Sequence, residues 1–502
     1  MSHPDPSSPS AFQQIQNQLA AKPDWLLLFF VSGLLILFRA WLTSFAKLEL
    51  HFDEALYWAY SQNLDWSYYA KGPLIAWLIA LSEFIFGQGE WQVRLPGWIA
   101  SSVFFCLVFY FTRHVWHSRA AAWWSFALLV FTPTYFTIGL VMTPDNLMWL
   151  FWAWGLWAIY MALFDGQRFA WYQTGAAVGL GALTKLSIGL LPAFVGIWML
   201  FKKSWWHHFR NPHLWLALLV MIFFMSPLIY WNATNDWVML RHEQGHVSSR
   251  GYSLARGLEF IIGQIMIMSP VVAILAIIKL RKKPKQENLF FLWILGIAWI
   301  LFFLFKALDG KVQVNWPSAS YISLIVLFAG TISNFTRRQR GWLYFGMVFS
   351  TLFMLVYYFP NTIGYRSADV ATIGKMKAWR EPVATLSQKS GNVSFILTDS
   401  YTVASELAFY WPTKLPVYIA GNETRRFNQF DLWPGIDREA GNDGLYIDTS
   451  RATPPQLNEA FKSCTPLEPV DAIANDGSIV RTLYAHFCKG YIPIKWPVPG
   501  RY

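Results

Sequence analysis

The feature that most constrains this 502-residue chain is a series of long apolar stretches between residue 25 and residue 359. A helix needs about 20 mostly apolar residues to cross the hydrocarbon core of a bilayer. Because backbone polar groups must be paired inside that core, helices are the expected form of such stretches. They predict an α-helical polytopic membrane protein with about eleven spans, near residues 25–46, 96–112, 120–138, 146–164, 170–184, 186–201, 213–231, 257–278, 289–307, 317–335 and 341–359.

Composition and charge support this class. Hydrophobic residues make up 55% of the chain and charged residues 14%, about half the charged share of an ordinary soluble protein. The net charge of +11 comes from short basic clusters between the apolar stretches, with no basic stripe of the nucleic-acid-binding kind. The clusters fall on alternate connections, which the positive-inside rule places in the cytoplasm. With eleven spans, the N-terminus is then cytoplasmic and the C-terminus lies outside.

The polar segments divide the chain into three parts. Residues 1–22 are expected to form a cytoplasmic tail, and 23–360 a transmembrane module with outer loops 47–95, 232–256 and 309–316. Residues 361–502 have a soluble composition and predict a small periplasmic α/β domain. Its expected strands are Val393–Ser400, Leu415–Gly421 and Gly444–Thr449, and its expected helices are Thr402–Trp411 and Pro455–Ser463. Cys464 and Cys488 both lie in this domain, where disulfides persist, and are expected to pair.

An acidic pair opens the first outer loop, in His51-Phe52-Asp53-Glu54, directly after the first span. Ionisable groups at the edge of the hydrocarbon are costly and are functional candidates by default. A carboxylate here is suited to act as a general base towards a hydroxyl or to bind a divalent cation. The alternative is a helix N-terminus, where acidic residues interact favourably with the helix dipole.

Two lysines and one more aspartate lie at outer-side ends of apolar stretches. Lys71 lies in a turn rich in aromatic residues and is suited to hold a phosphate, or else is an interface lysine that snorkels. Asp145 starts the fourth span, as a helix cap or as part of an outer cavity. Lys185 lies between two apolar runs with no basic cluster beside it, which favours an anionic partner.

The segment His242-Glu243-Gln244-Gly245-His246 satisfies the H-E-x-x-H pattern of zinc metalloproteases. Gly245 weakens the helix that this pattern requires, and no third ligand is obvious nearby. An anion site that includes Arg241 and His246 is the alternative. No P-loop, no G-x-G-x-x-G fingerprint and no transporter-like repeat is present, so no nucleotide cofactor is expected.

Together these residues resemble the GT-C fold glycosyltransferases that use polyprenyl-phosphate sugars. This group includes the protein O-mannosyltransferases and the bacterial aminoarabinose lipid A transferase. The resemblance runs from about residue 25 to residue 450, and each motif matches in order. The matching segments are Phe52-Asp53-Glu54 through Trp58, Trp66 through Trp77, Thr143-Pro144-Asp145, Gly179 through Lys185, Gly310-Lys311 through Pro317, Ala404 through Tyr410 and Asn428 through Trp433.

The resemblance implies an inverting transfer of one sugar from a polyprenyl-phosphate donor to an acceptor on the outer face. It implies Asp53 as the general base or as the carboxylate that positions the base, and Asp145 as a second catalytic-site carboxylate that helps to orient the site. Residues implied to bind the donor phosphate or other parts of the substrates are Glu54, Tyr57, Tyr69, Lys71, Lys185, Arg241, His246 and Lys311.

A divalent metal stays open, because Ala70 stands where the aminoarabinose transferase has an acidic metal contact. The candidate ligands are Asp53, Glu54, His51 and His246. The expected location is the bacterial inner membrane, and the expected acceptor is lipid A, lipopolysaccharide or another envelope glycolipid. The alternatives are a protein O-glycosyltransferase of the same fold, a zinc metalloprotease and a transporter of lipid-linked sugars. Membrane lipids are the other expected partners, and nucleic acid is not one.

Overall fold

The computed structural model describes residues 24–247 and 251–500, so the tail predicted over residues 1–22 lies outside the described part. Helices dominate its first 360 residues. In chain order they are α1 (Asp24–Phe45), α2 (Phe52–Gln62), α3 (Leu74–Phe86), α4 (Glu90–Trp116), α5 (Arg119–Phe131), α6 (Pro133–Ile138), α7 (Pro144–Phe164), α8 (Arg168–Ala182), α9 (Leu190–Phe201), α10 (Pro212–Thr234), α11 (Val238–Val247), α12 (Leu254–Ile267), α13 (Pro270–Leu280), α14 (Glu287–Asp309), α15 (Ser320–Thr331) and α16 (Arg337–Tyr358).

Within the described residues, seven helices are long and apolar enough to cross a membrane, and α12 with α13 makes an eighth span if this bent pair is counted as one. The mostly helical, multi-span class predicted from the sequence is therefore confirmed, whereas the number eleven stays a prediction. The seven are α1, α4, α7, α10, α14, α16 and the segment Trp316–Asn334, which contains α15.

Prolines explain where single predicted spans are broken. The span expected over 120–138 is interrupted at Thr132, whose backbone is extended because Pro133 follows and starts α6. The span expected over 257–278 bends by 102° between α12 and α13, where Ser269 precedes Pro270. The 13-residue apolar helix α3, inside the loop predicted over 47–95, is too short to cross a bilayer.

Ion pairs join several helix ends that carry residues of the basic clusters. Arg113 and Arg119, at the end of α4 and the start of α5, both pair with Asp24 at the start of α1. Lys202 after α9 pairs with Glu287 at the start of α14. These pairs hold together the helix ends on which the sequence places its positive charge.

Helices α8 and α10 pack with their backbones unusually close. A Cβ atom at Gly175 would lie 2.2 Å from the carbonyl oxygen of Ala217, and one at Gly179 would lie 2.7 Å from that of Met221. Glycine is required at both positions because small residues permit such an approach between helices. The glycine-rich run before Lys185 is thereby explained by packing.

The last third of the chain forms a sheet region covered by short helices. Its elements are α17 (Ala371–Lys375), α18 (Arg380–Lys389), β1 (Phe395–Thr398), α19 (Tyr401–Tyr410), β2 (Val417–Ile419), β3 (Gly444–Asp448), β4 (Phe461–Pro466), β5 (Val470–Ile473) and β6 (Ile479–Tyr491). The strand order is β2-β1-β3-β6-β4, with β5 also paired to β6. The pairs β2-β1 and β1-β3 are parallel, and β6 is antiparallel to its neighbours.

The three predicted strands are present as β1, β2 and β3, but the helix predicted over Pro455–Ser463 is wrong. Only Pro455–Asn458 forms a 3-10 turn, and the chain then enters β4. A disulfide joins Cys464 in β4 to Cys488 at the facing position of β6. Strand pairing with β6, which is far along the chain, overrides the local preference of this segment.

Candidate active site

Asp53 lies in the first turn of α2, directly after the helix cap. His51 is the N-cap residue, and its Nδ1 accepts a hydrogen bond from the Asp53 backbone N–H at 3.3 Å. The Asp53 carboxylate lines an internal cavity of about 720 Å³ and lies 3.5 Å from the same nitrogen. The side chain is 42% accessible through this cavity, although protein surrounds it on its other sides.

The surroundings of Asp53 favour a carboxylate that holds its proton more strongly than usual. Desolvation raises its pKa and the charge of Glu54 adds to the rise, while His51, Lys71 and Lys375 act in the opposite direction. Burial also lowers the pKa of His51. A carboxylate with a raised pKa is a stronger base, which suits proton abstraction from an acceptor hydroxyl.

Glu54 anchors α2 and is fully engaged. Its carboxylate forms two hydrogen bonds with Arg94, at 2.9 and 3.0 Å, and both side chains are 1% exposed. It also accepts the backbone N–H groups of His51 at 3.0 Å and Met142 at 2.9 Å. These contacts give Glu54 a positioning role, while its predicted role as a substrate or metal ligand stays a prediction.

Asp145 joins three elements at the same end of the bundle. It lies in the first turn of α7, its Oδ1 is 2.8 Å from Lys185 Nζ, and its Oδ2 accepts a hydrogen bond from Asn315 at 2.9 Å. Asn315 directly precedes the 3-10 turn Trp316–Ala319 at the start of α15, and it lines the same cavity as Asp53. Asp145 therefore links the start of α7 to Lys185, after α8, and to Asn315, before α15.

Lys71 is held next to Lys185 by a tight loop. A Cβ atom at Gly72 would lie 2.1 Å from the carbonyl oxygen of Leu183, and the N–H of Leu74 donates to that oxygen at 3.1 Å. Desolvation and the nearby charge of Lys185 lower the pKa of Lys71, whereas Glu243, Asp145 and Asp53 raise it. Two neighbouring ammonium groups that repel each other are suited to bind an anion between them.

Buried aromatic rings support this loop. Tyr60 and Tyr68 stack with their ring centres 4.2 Å apart, and Tyr57, which is near Asp53 and Asp145, is also buried. The Tyr69 backbone N–H donates to Gln429 of the sheet region at 2.7 Å. Tyr57 and Tyr69 thus lie close to the acidic and lysine residues, and their predicted contacts with substrate stay predictions.

The metalloprotease pattern is described only in part. His242 Nδ1 is 3.1 Å from the Tyr69 hydroxyl, and the side chain of His246 lies outside the described residues. In the part of the chain that the structure describes, no three His, Cys, Asp or Glu side chains are placed to hold a metal ion. Whether Asp53, Glu54, His51 and His246 bind a divalent ion therefore stays the open question that the sequence left.

Two predicted cations are less closely tied to the cluster. Arg241 is exposed on α11, beside the Glu243 that faces Lys71. Lys311 is exposed at the start of the segment that ends in Asn315. Their proposed contacts with substrate stay predictions.

Sequence reasoning missed Arg94, Asn315 and Lys375 as parts of the site. Arg94 carried a usable signal, because it is a charged residue at the start of a membrane span and such residues need a partner. Asn315 was part of a motif without a role of its own. Nothing in the local sequence pairs Lys375 with Asp53, more than 300 residues earlier.

Comparisons with known proteins show which sequences and folds the chain is similar to. The family model for dolichyl-phosphate-mannose-protein mannosyltransferase matches residues 70–231. The lipid A galacturonosyltransferase RgtD of Rhizobium johnstonii is 27% identical over 398 residues, which cover 76% of this chain and 82% of that protein. The undecaprenyl phosphate-alpha-4-amino-4-deoxy-L-arabinose arabinosyl transferase 2 of Pseudomonas fluorescens is 28% identical over 160 residues, only 28% of its length and 30% of this chain.

The fold itself matches a solved structure over almost its whole length. ArnT from Cupriavidus metallidurans bound to undecaprenyl phosphate has a TM-score of 0.64 and 16% identity, covering 93% of this chain and 98% of ArnT. The protein therefore has the GT-C fold and is a membrane glycosyltransferase. The names of the two relatives are more specific. The Rhizobium protein is named for lipid A, and the Pseudomonas protein is named for an undecaprenyl-phosphate-linked sugar.

Proposed function

We propose that the protein transfers one sugar, with inversion, from a polyprenyl-phosphate donor to a lipid A-type glycolipid at the periplasmic face of the bacterial inner membrane. The observation that carries this proposal is the position of Asp53 between two different environments. Asp53 lines the 720 Å³ cavity, which neither Lys71 nor Lys185 lines. It is also close enough to Lys71 for that charge to lower its pKa, and Lys71 in turn neighbours Lys185. The names of the relatives support the donor and acceptor classes.

The lysine pair suits the leaving group. When the bond between the sugar and the phosphate breaks, negative charge develops on the phosphate oxygen, and preorganised cations stabilise it. Lys185 is fixed by Asp145, and Lys71 by the docking of Gly72 and Leu74 on the end of α8. Asp145 acts here as a positioning residue for one of the two cations.

Asp53 suits the attack. The acceptor oxygen approaches the anomeric carbon from the cavity side, opposite to the leaving phosphate, and Asp53 accepts its proton. A single displacement needs one carboxylate base and inverts the anomeric centre. No second carboxylate is needed to protonate the leaving group, because a phosphate leaves as an anion.

The orientation in the membrane is part of this proposal. The helix ends joined by Asp24, Arg113 and Arg119 carry the basic clusters, and the positive-inside rule places them in the cytoplasm. Asp53, Asp145 and the sheet region then belong to the periplasmic side. The same assignment places residues 1–22 in the cytoplasm.

The test is transfer from a defined polyprenyl-phosphate sugar to purified lipid A by the full-length protein in detergent or liposomes. We expect Asp53→Asn to lose activity by about 100-fold or more, because positioned proton transfer contributes 10²–10⁴ in rate. Asp471→Asn, at an exposed residue of β5, is the matched control and should keep full activity. Full activity of Asp53→Asn, or transfer only to protein acceptors, would contradict the proposal.

A further inference from the structure

The sheet region supplies part of the wall around Asp53. Thr372 and Met376, in and directly after the short helix α17, line the same cavity as Asp53. Residues three apart lie on one face of a helix, so Lys375 projects from the same side as Thr372. Its ammonium lies 5.5 Å from the centre of the Phe52 ring, and Phe52 directly precedes the base.

Lys375 is a cation without a neutralising partner. Its side chain is exposed, and no carboxylate of the described residues lies within ion-pair distance of its ammonium. Its charge nevertheless lowers the pKa of both His51 and Asp53. An unpaired lysine beside a cavity and a catalytic base is positioned to meet an anion that enters with the substrate.

A second exposed cation of the sheet region, Arg426, lies near Tyr401. Arg426 is exposed and acts on the Tyr401 phenol, which also senses Asp53. The Tyr401 ring meets the Phe52 ring edge to face, with centres 6.2 Å apart. Of these residues, Lys375 is the cation whose own helix contributes to the cavity wall, through Thr372.

The Lys71–Lys185 pair and Lys375 are suited to bind different substrates. The donor carries one phosphate, and Lys71 with Lys185 already provides two positive charges for it. Lys375 belongs to the element that lines the cavity on the acceptor's side. We propose that Lys375 binds a phosphate group of the acceptor glycolipid and thereby selects phosphorylated acceptors over neutral ones.

This inference rests on the proposed function for the identity of the acceptor, but binding tests it without turnover. The full-length protein is titrated with diphosphoryl lipid A and with enzymatically dephosphorylated lipid A, and the dissociation constants are compared. We expect Lys375→Gln to weaken binding of the diphosphoryl form roughly tenfold or more, as for one lost hydrogen bond to a charged group, without affecting the dephosphorylated form. Lys375→Arg should restore most of the affinity, because it keeps the charge.

The control is Lys389→Gln, an exposed lysine of the same region that pairs with Glu468. In the transfer assay, Lys375→Gln should raise the KM for phosphorylated acceptor and leave the KM for the donor unchanged. Inorganic phosphate, added as a competitor, should weaken diphosphoryl lipid A binding in the wild type more than in Lys375→Gln.

Equal affinity of the wild type for both lipid A forms would overturn the inference, and so would a rise in donor KM that matches the rise in acceptor KM. Unchanged binding in Lys375→Gln would overturn it as well. A wild-type protein that binds diphosphoryl lipid A through Lys375 but transfers no sugar would instead contradict the proposed function alone.

Discussion

The pair of Arg94 and Glu54 should control both the stability of the protein and the placement of its base. Replacing Arg94 by Met removes two hydrogen bonds to Glu54, and it removes the donors to the carbonyl oxygens of Leu48 and Glu49 at 2.8 and 2.7 Å. Both partners are 1% exposed, so the remaining carboxylate would be buried without its counter-ion. Removing one member of a buried ion pair costs about 3–5 kcal/mol.

The double variant Arg94→Met with Glu54→Gln separates charge from packing. It leaves no uncompensated charge, and replacing both members of a buried pair is often close to neutral. We therefore expect it to recover much of the stability lost in Arg94→Met. Activity should stay low in both variants, because the N-terminus of α2, which carries Asp53, loses its anchor to α4.

The assay is thermal unfolding of the purified protein in one detergent, followed by the transfer assay on the same samples. Chemical denaturation in mixed micelles gives the free-energy difference where unfolding is reversible. The reasoning would be refuted if Arg94→Met unfolded at the wild-type temperature, or if the double variant were no more stable than Arg94→Met.

Two further predictions concern the reacting groups. The pKa of Asp53 is raised, and protonated Asp53 accepts no proton, so kcat/KM should fall as the pH is lowered through a pKa higher than that of an ordinary aspartate. A pH–rate profile whose acidic limb lies at the usual aspartate pKa would exclude Asp53 as the base. Gly72→Ala should raise the KM for the donor about tenfold or more, because the added Cβ would lie 2.1 Å from the Leu183 carbonyl oxygen and the loop that carries Lys71 would shift. Wild-type kinetics in this variant would show that close packing of Gly72 on Leu183 does not position Lys71.

The sequence predicted the parts of the fold that depend on local physics. Long apolar stretches predict membrane helices, and basic clusters mark the helix ends that the structure brings together through Asp24 and Glu287. Costly ionisable residues at the opposite ends predicted Asp53, Lys71, Asp145 and Lys185 as a group. The apolar pattern alone did not predict the breaks at Pro133 and Pro270. Proline has no backbone N–H to continue the helix, so a new helix starts at each of these residues inside an apolar run.

What the sequence did not predict depends on contacts between distant segments. The strand at Phe461–Pro466 pairs with β6, whereas the helix predicted over Pro455–Ser463 included its first three residues. Glu54 was predicted as a ligand because its partner Arg94, 40 residues later, was not recognised. Lys375 reaches the site through the packing of the sheet region on α2, and no motif records that contact.

The arrangement of charges also explains why the donor should activate the base. In the free protein Lys71 and Lys185 repel each other, and Lys71 lowers the pKa of Asp53. A bound donor phosphate neutralises these lysines and adds negative charge near Asp53, so the pKa of Asp53 rises further. Asp53 is then a stronger base when the donor is in place than in the empty site. An acceptor phosphate held by Lys375 would act in the same direction from the cavity side, because Lys375 also lowers that pKa. Both substrates would thus prepare the carboxylate for the proton that the reaction releases.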